Sequence, residues 1–344
     1  MRVRYAVVGL GHFARATLLP AFANAAENSE LRALVSGDPA KLGELSRTYA
    51  VPRTFSYEQY EECLRSGEVD AVYIALPNSM HCEYSVAAAQ AGVHVLCEKP
   101  MAVTEADCQR MILEARQHQV RLMIANRLHF ESSHQEAIRM VASGHLGIPR
   151  IFSSVLTFQV KEGNVRLNKV LGGGPLYDIG IYCISAARHL FGEEPREVFA
   201  FNASLDDRRF AEVQESTSAI LRFSQGRVAA FTCSFGAARE SVYEVVGTKA
   251  VLRVDPGYER ARPGTHYLIT DGQVKERVFP KQDQFAQELT EFSECVLNGQ
   301  DHPRASGQDG LADVRIIEAL LRSAQAGQAV KLDLPAIAPT TTRF

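Results

Sequence analysis

This chain has no tryptophan, no long apolar run and no strong charge of either sign. The missing tryptophan says little about function, but the other two absences exclude whole classes. No stretch approaches the ~20 apolar residues that a membrane-spanning helix needs. The formal net charge is -3, so there is no positive field of the kind that gathers nucleic acid. Cysteine offers neither a disulfide framework nor a metal site. The seven residues, at 63, 82, 97, 108, 183, 233 and 295, are odd in number and scattered, with no ligand spacing. They read as free thiols of a reducing cytoplasm. Arg2 and Arg4 precede an apolar stretch in the manner of a signal peptide, but Gly9, Gly11, His12 and Arg15 break it, and the segment serves better as a strand and turn.

What is present is ordinary for globular proteins: 46% apolar and 22% charged residues over 344 positions, enough for two cores. The organising stretch runs from Val93 to Pro100, Val-His-Val-Leu-Cys-Glu-Lys-Pro. Its apolar part, 93–97, is continuous rather than alternating, as in a parallel strand covered on both faces. Glu98 and Lys99 stand at its carboxyl end, where open α/β sheets bind ligands. Pro100 disfavours helix at the residue before it, so Lys99 is expected to be extended and aimed.

Upstream, a strand over 4–8 runs into Gly9-Leu10-Gly11-His12-Phe13-Ala14 and then a helix over 14–24. The pattern G-x-G-x-x-A between strand and helix is the dinucleotide-binding turn. Gly9 permits the tight bend, Gly11 lets a pyrophosphate approach the backbone, and Ala14 allows close helix–strand packing. The phosphates would meet the helix N-terminus. A second strand, 31–35, ends in Ser36-Gly37-Asp38-Pro39, without the acid that usually holds the ribose 2′-hydroxyl of NAD. Asp38 before Pro39 reads as a helix cap. Ser36 and Lys41 would suit a 2′-phosphate, so NADP is preferred over NAD.

Helices over 41–49 and 57–65, a strand over 71–76 and a helix over 82–91 follow. Leu76, Pro77 and Asn78 close that strand, where backbone groups could meet the nicotinamide or its ribose; His81 either joins them or caps the helix. Thr104 opens another helix in Thr-Glu-Ala-Asp, up to 118, and a strand at 122–125 delivers Asn126 and Arg127. This alternation predicts a doubly wound parallel Rossmann sheet over residues 1–126.

From 127 onward the pattern changes. A helix over 134–143, a strand over 151–160 and a helix from 176 precede strands over 211–223, 227–235, 241–247 and 250–254 that hairpins connect. Amphipathic helices over 285–298 and 310–325 and a short strand at 329–332 follow, and 335–344 looks frayed. Residues 127–344 are therefore expected to form an α+β domain, a mostly antiparallel open sheet with helices on one face, for substrate binding and oligomerisation. Gly172-Gly173-Gly174-Pro175 introduces the helix that carries Asp178 and Tyr182, which at i,i+4 share a face.

Taken together, Gly9-Leu10-Gly11, Glu98-Lys99-Pro100 and Gly172-Gly173-Gly174-x-x-x-Asp178-Ile179-Gly180-Ile181-Tyr182 make the chain resemble the glucose–fructose oxidoreductase / inositol dehydrogenase (Gfo/Idh/MocA) family over nearly its whole length. The resemblance implies an NAD(P)-dependent oxidoreductase of a sugar, polyol or similar hydroxylated ring. Lys99 would lie between nicotinamide and substrate, with Asp178 and Tyr182 as the other catalytic groups. Tyr182, where many relatives have histidine, is similar to the glucose–fructose oxidoreductase and dihydrodiol dehydrogenase branch, and 34–41 resembles that branch's NADP-binding segment. Glu98, Asn126 and Arg166 match family cofactor contacts, although Val165 replaces a tryptophan often found there. A phenol such as Tyr182 can act as acid or base on a substrate hydroxyl or carbonyl, and hydride transfer belongs to the cofactor. The resemblance leaves aldoses, trans-dihydrodiols and anhydro-sugar ketones open as substrates. The alternative of another class is an NADP-binding regulator. The open sheet face implies a homodimer or homotetramer.

Overall fold

The computed structural model describes residues 1–299, 303–335 and 337. In chain order the first elements are β1 (Val3–Val8), a π-helical turn (Ala14–Leu18) continuing as α1 (Leu19–Asn24), β2 (Ser29–Val35), α2 (Pro39–Thr48), β3 (Arg53–Phe55), α3 (Tyr60–Arg65), β4 (Ala71–Ile74), α4 (His81–Gln90), β5 (His94–Glu98), α5 (Glu105–Gln117) and β6 (Leu122–Ala125). Then come α6 (Ser132–Ala142), β7 (Pro149–Thr157), a second π-helical turn (Leu176–Gly180) leading into α7 (Ile181–Phe191), β8 (Glu197–Ala203), β9 (Ser216–Arg222), β10 (Val228–Ser234), β11 (Glu240–Gly247), β12 (Val251–Val254), β13 (Thr265–Thr270) and β14 (Gln273–Val278). The last are α8 (Gln284–Asn298), α9 (Gly307–Ala326) and β15 (Val330–Lys331).

Two compact units result: residues 1–130 with 283–311, and residues 131–282 with 312–344. The sequence predicts one boundary, at 126/127, with everything after it in the second domain. Helix α8 explains the difference. Its stripe of Phe285, Ala286, Leu289 and Phe292 packs in one cluster with Tyr5, Val7 and Phe22, so it completes the first core rather than the second. Amphipathic spacing announces that a helix buries a face, not which sheet receives it.

The first unit is a six-stranded parallel sheet in the order β3-β2-β1-β4-β5-β6, the doubly wound arrangement expected. Its order reverses between β1 and β4. Tyr5, Val7, Leu34, Tyr73, Leu96 and Met123 present one face of the sheet to α1, α2 and α8. Caps fall where side-chain chemistry places them: Asp38 accepts from the amides of Ala40 and Lys41, and Thr104 from that of Asp107.

The second unit is a nine-stranded sheet, β14-β13-β12-β11-β7-β10-β9-β8-β15, antiparallel except where β10 runs parallel to β7. Phe152, Leu156, Cys183 and Ile184 are buried where α7 packs on β7. Along β9, Thr217, Ala219 and Leu221 are buried while Ser218, Ile220 and Arg222 stand exposed, so the opposite face is open. Two expectations shift. The strand read over 211–223 starts only at Ser216, after a turn at Arg208–Phe210. The β13–β14 hairpin was not anticipated, although Asp271-Gly272, both at positive φ, is the sort of dipeptide that makes such a turn. The tail expected to be frayed, 335–344, lies outside the described residues apart from Pro335 and Ile337. No described helix is long and apolar enough to cross a membrane.

Candidate active site

In the first unit the dinucleotide turn sits at the sheet's reversal point. Gly9 has φ +96°, and a Cβ there would lie 2.6 Å from the Ala75 carbonyl oxygen, so only glycine fits between the ends of β1 and β4. Around Gly11, by contrast, there is open space, which leaves the backbone accessible to a phosphate. Leu10 and Ala14 are buried; His12 is exposed, and the ring of Phe13 lies 5.3 Å from that of Phe285. The helix then begins with a π turn, a distortion that often marks functional sites.

At the end of β2, Ser36 is buried, and its hydroxyl oxygen accepts from the Asp38 amide at 3.2 Å. Lys41 meets the Asp38 carboxylate at 3.0 Å, which holds that carboxyl below its ordinary range. Tyr57, which sequence reasoning missed, joins Ser36 and Lys41. Burial raises its phenol pKa, against a hydrogen bond from Ser36, the Lys41 charge and the Gly37 amide. Its ring lies edge-on to Tyr84 at 6.1 Å. Serine, lysine and tyrosine thus gather where an NAD-binding sheet would carry an acid, and the Asp38 carboxylate is committed to capping α2. These groups fit a dinucleotide bearing a 2′-phosphate. Nothing in the local sequence announces Tyr57; it arrives from the loop after β3.

At the end of β4, Leu76 is buried, and Asn78 opens a short turn with Pro77 at its cap. His81 is 1% exposed, and its ring spans two main-chain carbonyls, that of Pro100 at 2.8 Å and that of Leu76 at 2.9 Å. Burial lowers its pKa against the pull of the carbonyls, and Lys99 adds to the lowering. It is therefore a strut between two main-chain carbonyls, under the Lys99-Pro100 segment, whose peptide bond is cis, rather than a group aimed outward. At the end of β5, Glu98 accepts from the Tyr73 hydroxyl at 2.8 Å, and Lys99 follows half-buried. Asn126, 2% exposed, turns its side-chain oxygen to the Leu128 amide.

In the second unit the three glycines make a seat. A Cβ on Gly173 would lie 2.4 Å from the Arg166 carbonyl oxygen and 2.7 Å from that of Asn168. Those same carbonyls accept from Gly174 and Gly173, each at 2.9 Å. The seat fixes Arg166, whose Nε donates to the Asp178 carboxylate at 2.6 Å. Asp178 lies in the π turn and Tyr182 one turn later, its ring 6.4 Å from that of Tyr258. Arg166 therefore orients Asp178, a relation that sequence reasoning, which read it as a cofactor contact, did not foresee.

Such a dinucleotide turn, Glu-Lys-Pro strand end and glycine-seated aspartate define an NAD(P)-dependent oxidoreductase. Residues 3–126 match the family model described as Oxidoreductase family, NAD-binding Rossmann fold, and residues 134–253 match the GFO/IDH/MocA C-terminal domain. The chain belongs to the Gfo/Idh/MocA oxidoreductase family. It is 31% identical over 339 residues to D-xylose 1-dehydrogenase [NADP(+)] of Haloarcula marismortui, covering 96% of this chain and 93% of that one. Among solved structures it is similar to an aldose–aldose oxidoreductase from Caulobacter crescentus complexed with glycerol, with 38% identity, a TM-score of 0.92 and coverage of 96% and 100%. A 3-ketoreductase from Actinomadura kijaniata, in complex with NADP and TDP-benzene, aligns with 28% identity, a TM-score of 0.85 and coverage of 94% and 98%.

Proposed function

We propose that this chain is an NADP-dependent sugar oxidoreductase in which Lys99, Asp178 and Tyr182 act on an aldose or related cyclic polyol. The observation that carries the reading is the complete set of groups: Ser36, Tyr57 and Lys41 for a 2′-phosphate, Lys99 at the strand end, and Asp178 held by Arg166 with Tyr182 a turn away. The named activities of the relatives support an aldose as substrate. They also weigh against a regulator without catalysis.

The nicotinamide ring accepts or returns hydride when it is bound. The protein's own part is positioning and proton handling. Gly9, Gly11 and the helix start hold the pyrophosphate, and Glu98, Asn126 and the 76–78 segment bind toward the ribose and nicotinamide. Asp178, anionic beside Arg166, accepts hydrogen bonds from substrate hydroxyls. As its phenolate, Tyr182 would take the proton of the reacting hydroxyl while the carbon gives up hydride, and as the phenol it would return that proton in the reverse direction. Lys99 places a positive charge where negative charge develops on the reacting oxygen.

We assign the protein to a reducing cytoplasm, supported by seven buried free thiols. We also assign it a self-association through the open face of the nine-stranded sheet, where Ile151, Phe201 and Ile220 are 49%, 63% and 49% exposed. Lys99→Ala and Tyr182→Phe test the catalytic assignment. Each is expected to lower turnover by about a hundredfold or more while NADPH titrations remain close to wild type. Wild-type turnover in both would overturn it.

A further inference from the structure

One carboxyl in the first unit has no part in this scheme. Glu288 is 0% exposed on α8, and neither of its oxygens has a hydrogen-bond partner among the described residues. It belongs to the helix stripe that faces the parallel sheet, between Phe285 and Phe292. Along β4 and β5 the residues on that same face are Ala71 and Tyr73, and Leu96 followed two positions on by Glu98. One layer therefore holds Glu288, Tyr73 and the glutamate of Glu98-Lys99-Pro100, with the Tyr73 hydroxyl donating to Glu98. Tyr73 is itself fully buried, its phenol pKa pushed far up by burial and then by the charges of Glu98 and Glu288. Two carboxylates and a phenol closed in together cannot all ionise cheaply.

We propose that Glu288 carries a proton in the free protein, in the same layer as an ionised Glu98, and that binding of oxidised nicotinamide expels it to solvent. The inference rests on assigning the cofactor to this unit, with Glu98 as one of its contacts. The titratable and charged groups that act on Glu288 are Glu98 from β5, Arg127 from the turn after β6, and Asp283 and Glu291 from its own helix and cap, and Tyr73 from β4 is in turn affected by Glu288. Burial comes first in raising the Glu288 pKa, Glu98 adds to it, and Arg127 alone opposes it. A nicotinamide cation near Glu98 tips the balance towards two carboxylates. The O–H bond of the Glu288 carboxyl breaks, and its proton leaves past half-buried Glu98 to the buffer. A reduced, neutral ring exerts no such pull, so the carboxyl regains a proton from solvent. The pair thereby senses the charge state of the cofactor.

The test combines two readouts on the full chain, wild type against Glu288→Gln. Infrared spectra of the free protein at neutral pH are expected to contain a protonated-carboxyl C=O stretch that the variant lacks. Calorimetric titrations with NADP⁺ and with NADPH, in buffers of different ionisation enthalpy, count protons released. The wild type is expected to release close to one proton with NADP⁺ and few with NADPH, and its NADP⁺ affinity to tighten by up to about tenfold per pH unit where the pair titrates. In Glu288→Gln both effects disappear. Glu288→Met, apolar and of similar length, takes the place of Glu288→Gln should that variant not fold. Proton release that persists in the variant, or the absence of the carboxyl band from the wild type, overturns the inference while leaving the cofactor assignment standing. No NADP⁺ binding by the wild type overturns the cofactor assignment, and the inference with it.

Discussion

Replacing Gly173 by alanine probes the seat that holds Arg166 against Asp178. No positive φ is involved at this residue, so the perturbation is one of space alone. The new Cβ would lie 2.4 Å from the Arg166 carbonyl oxygen, 2.7 Å from that of Asn168 and 2.8 Å from the Arg166 carbonyl carbon. All three are main-chain atoms that cannot swing aside as a side-chain tip would, so the 166–168 backbone must retreat by roughly half an ångström or more. That movement breaks the bonds from Gly173 to Asn168 and from Gly174 to Arg166. At about 0.5–1.5 kcal/mol for each hydrogen bond, the loop loses about 1–3 kcal/mol. The consequence for function is at the 2.6 Å bond from Arg166 to Asp178, whose geometry is expected to shift once its backbone anchor moves. Misplacing a substrate-holding group by a fraction of an ångström to one ångström costs about tenfold to a hundredfold in turnover. The assay is steady-state oxidation of the best aldose with NADP⁺, alongside fluorescence titration with NADPH. The Michaelis constant for the sugar is expected to rise and turnover to fall, with the NADPH affinity of the first unit's turn and 2′-phosphate groups changing far less. Wild-type turnover and an unchanged Michaelis constant in Gly173→Ala would refute the reasoning.

Two further outcomes follow from the geometry. Ser36→Asp puts an acid beside Tyr57 and Lys41, the groups proposed to hold the 2′-phosphate; NADPH affinity should fall by about thirtyfold or more and NADH affinity should rise, as titrations with both will reveal. His266 is buried with its Nε2 2.8 Å from the Ser133 carbonyl, and burial pushes its pKa down to about 4, against the pull of that carbonyl and of Glu136 and with a small contribution from Arg277. As pH falls below ~6.5 the unfolded ring takes up a proton that the folded ring refuses until about pH 4, so stability should decline by up to about 3 kcal/mol across that window and then level off. Thermal unfolding of wild type and His266→Gln between pH 7 and 4 will separate the two, the variant lacking this part of the decline.

The parallel sheet was legible because its strands other than β3 contain short, largely apolar runs between glycines and helix caps. Asp38 and Thr104 cap their helices as their positions in the sequence predict. The dinucleotide turn was legible because its glycine spacing falls directly between a strand and a helix, a context that the sequence itself contains. What escaped was non-local. Tyr57 reaches Ser36 only because β3 pairs with β2, and a three-residue strand, Arg53–Phe55, leaves almost no periodicity to read. The return of α8 to the first core depends on which sheet offers a vacant apolar face, which no feature of the helix encodes. His81 and Arg166 each stood near a recognisable motif, and their geometry gives them supporting parts, one bracing the carbonyls of Leu76 and Pro100 and the other orienting Asp178. Motif proximity marks the neighbourhood of a site, and only packing separates the groups that touch ligands from those that hold them.

The central claim is tested most directly by following nicotinamide absorbance in the near ultraviolet as purified protein meets aldoses, polyols and dihydrodiols in turn, with NADP⁺ and then with NAD⁺. The account predicts reduced nicotinamide with one or more aldoses or cyclic polyols, and faster with NADP⁺ than with NAD⁺. Failure of every sugar and polyol to reduce either cofactor, or a clear preference for NAD⁺, would contradict it.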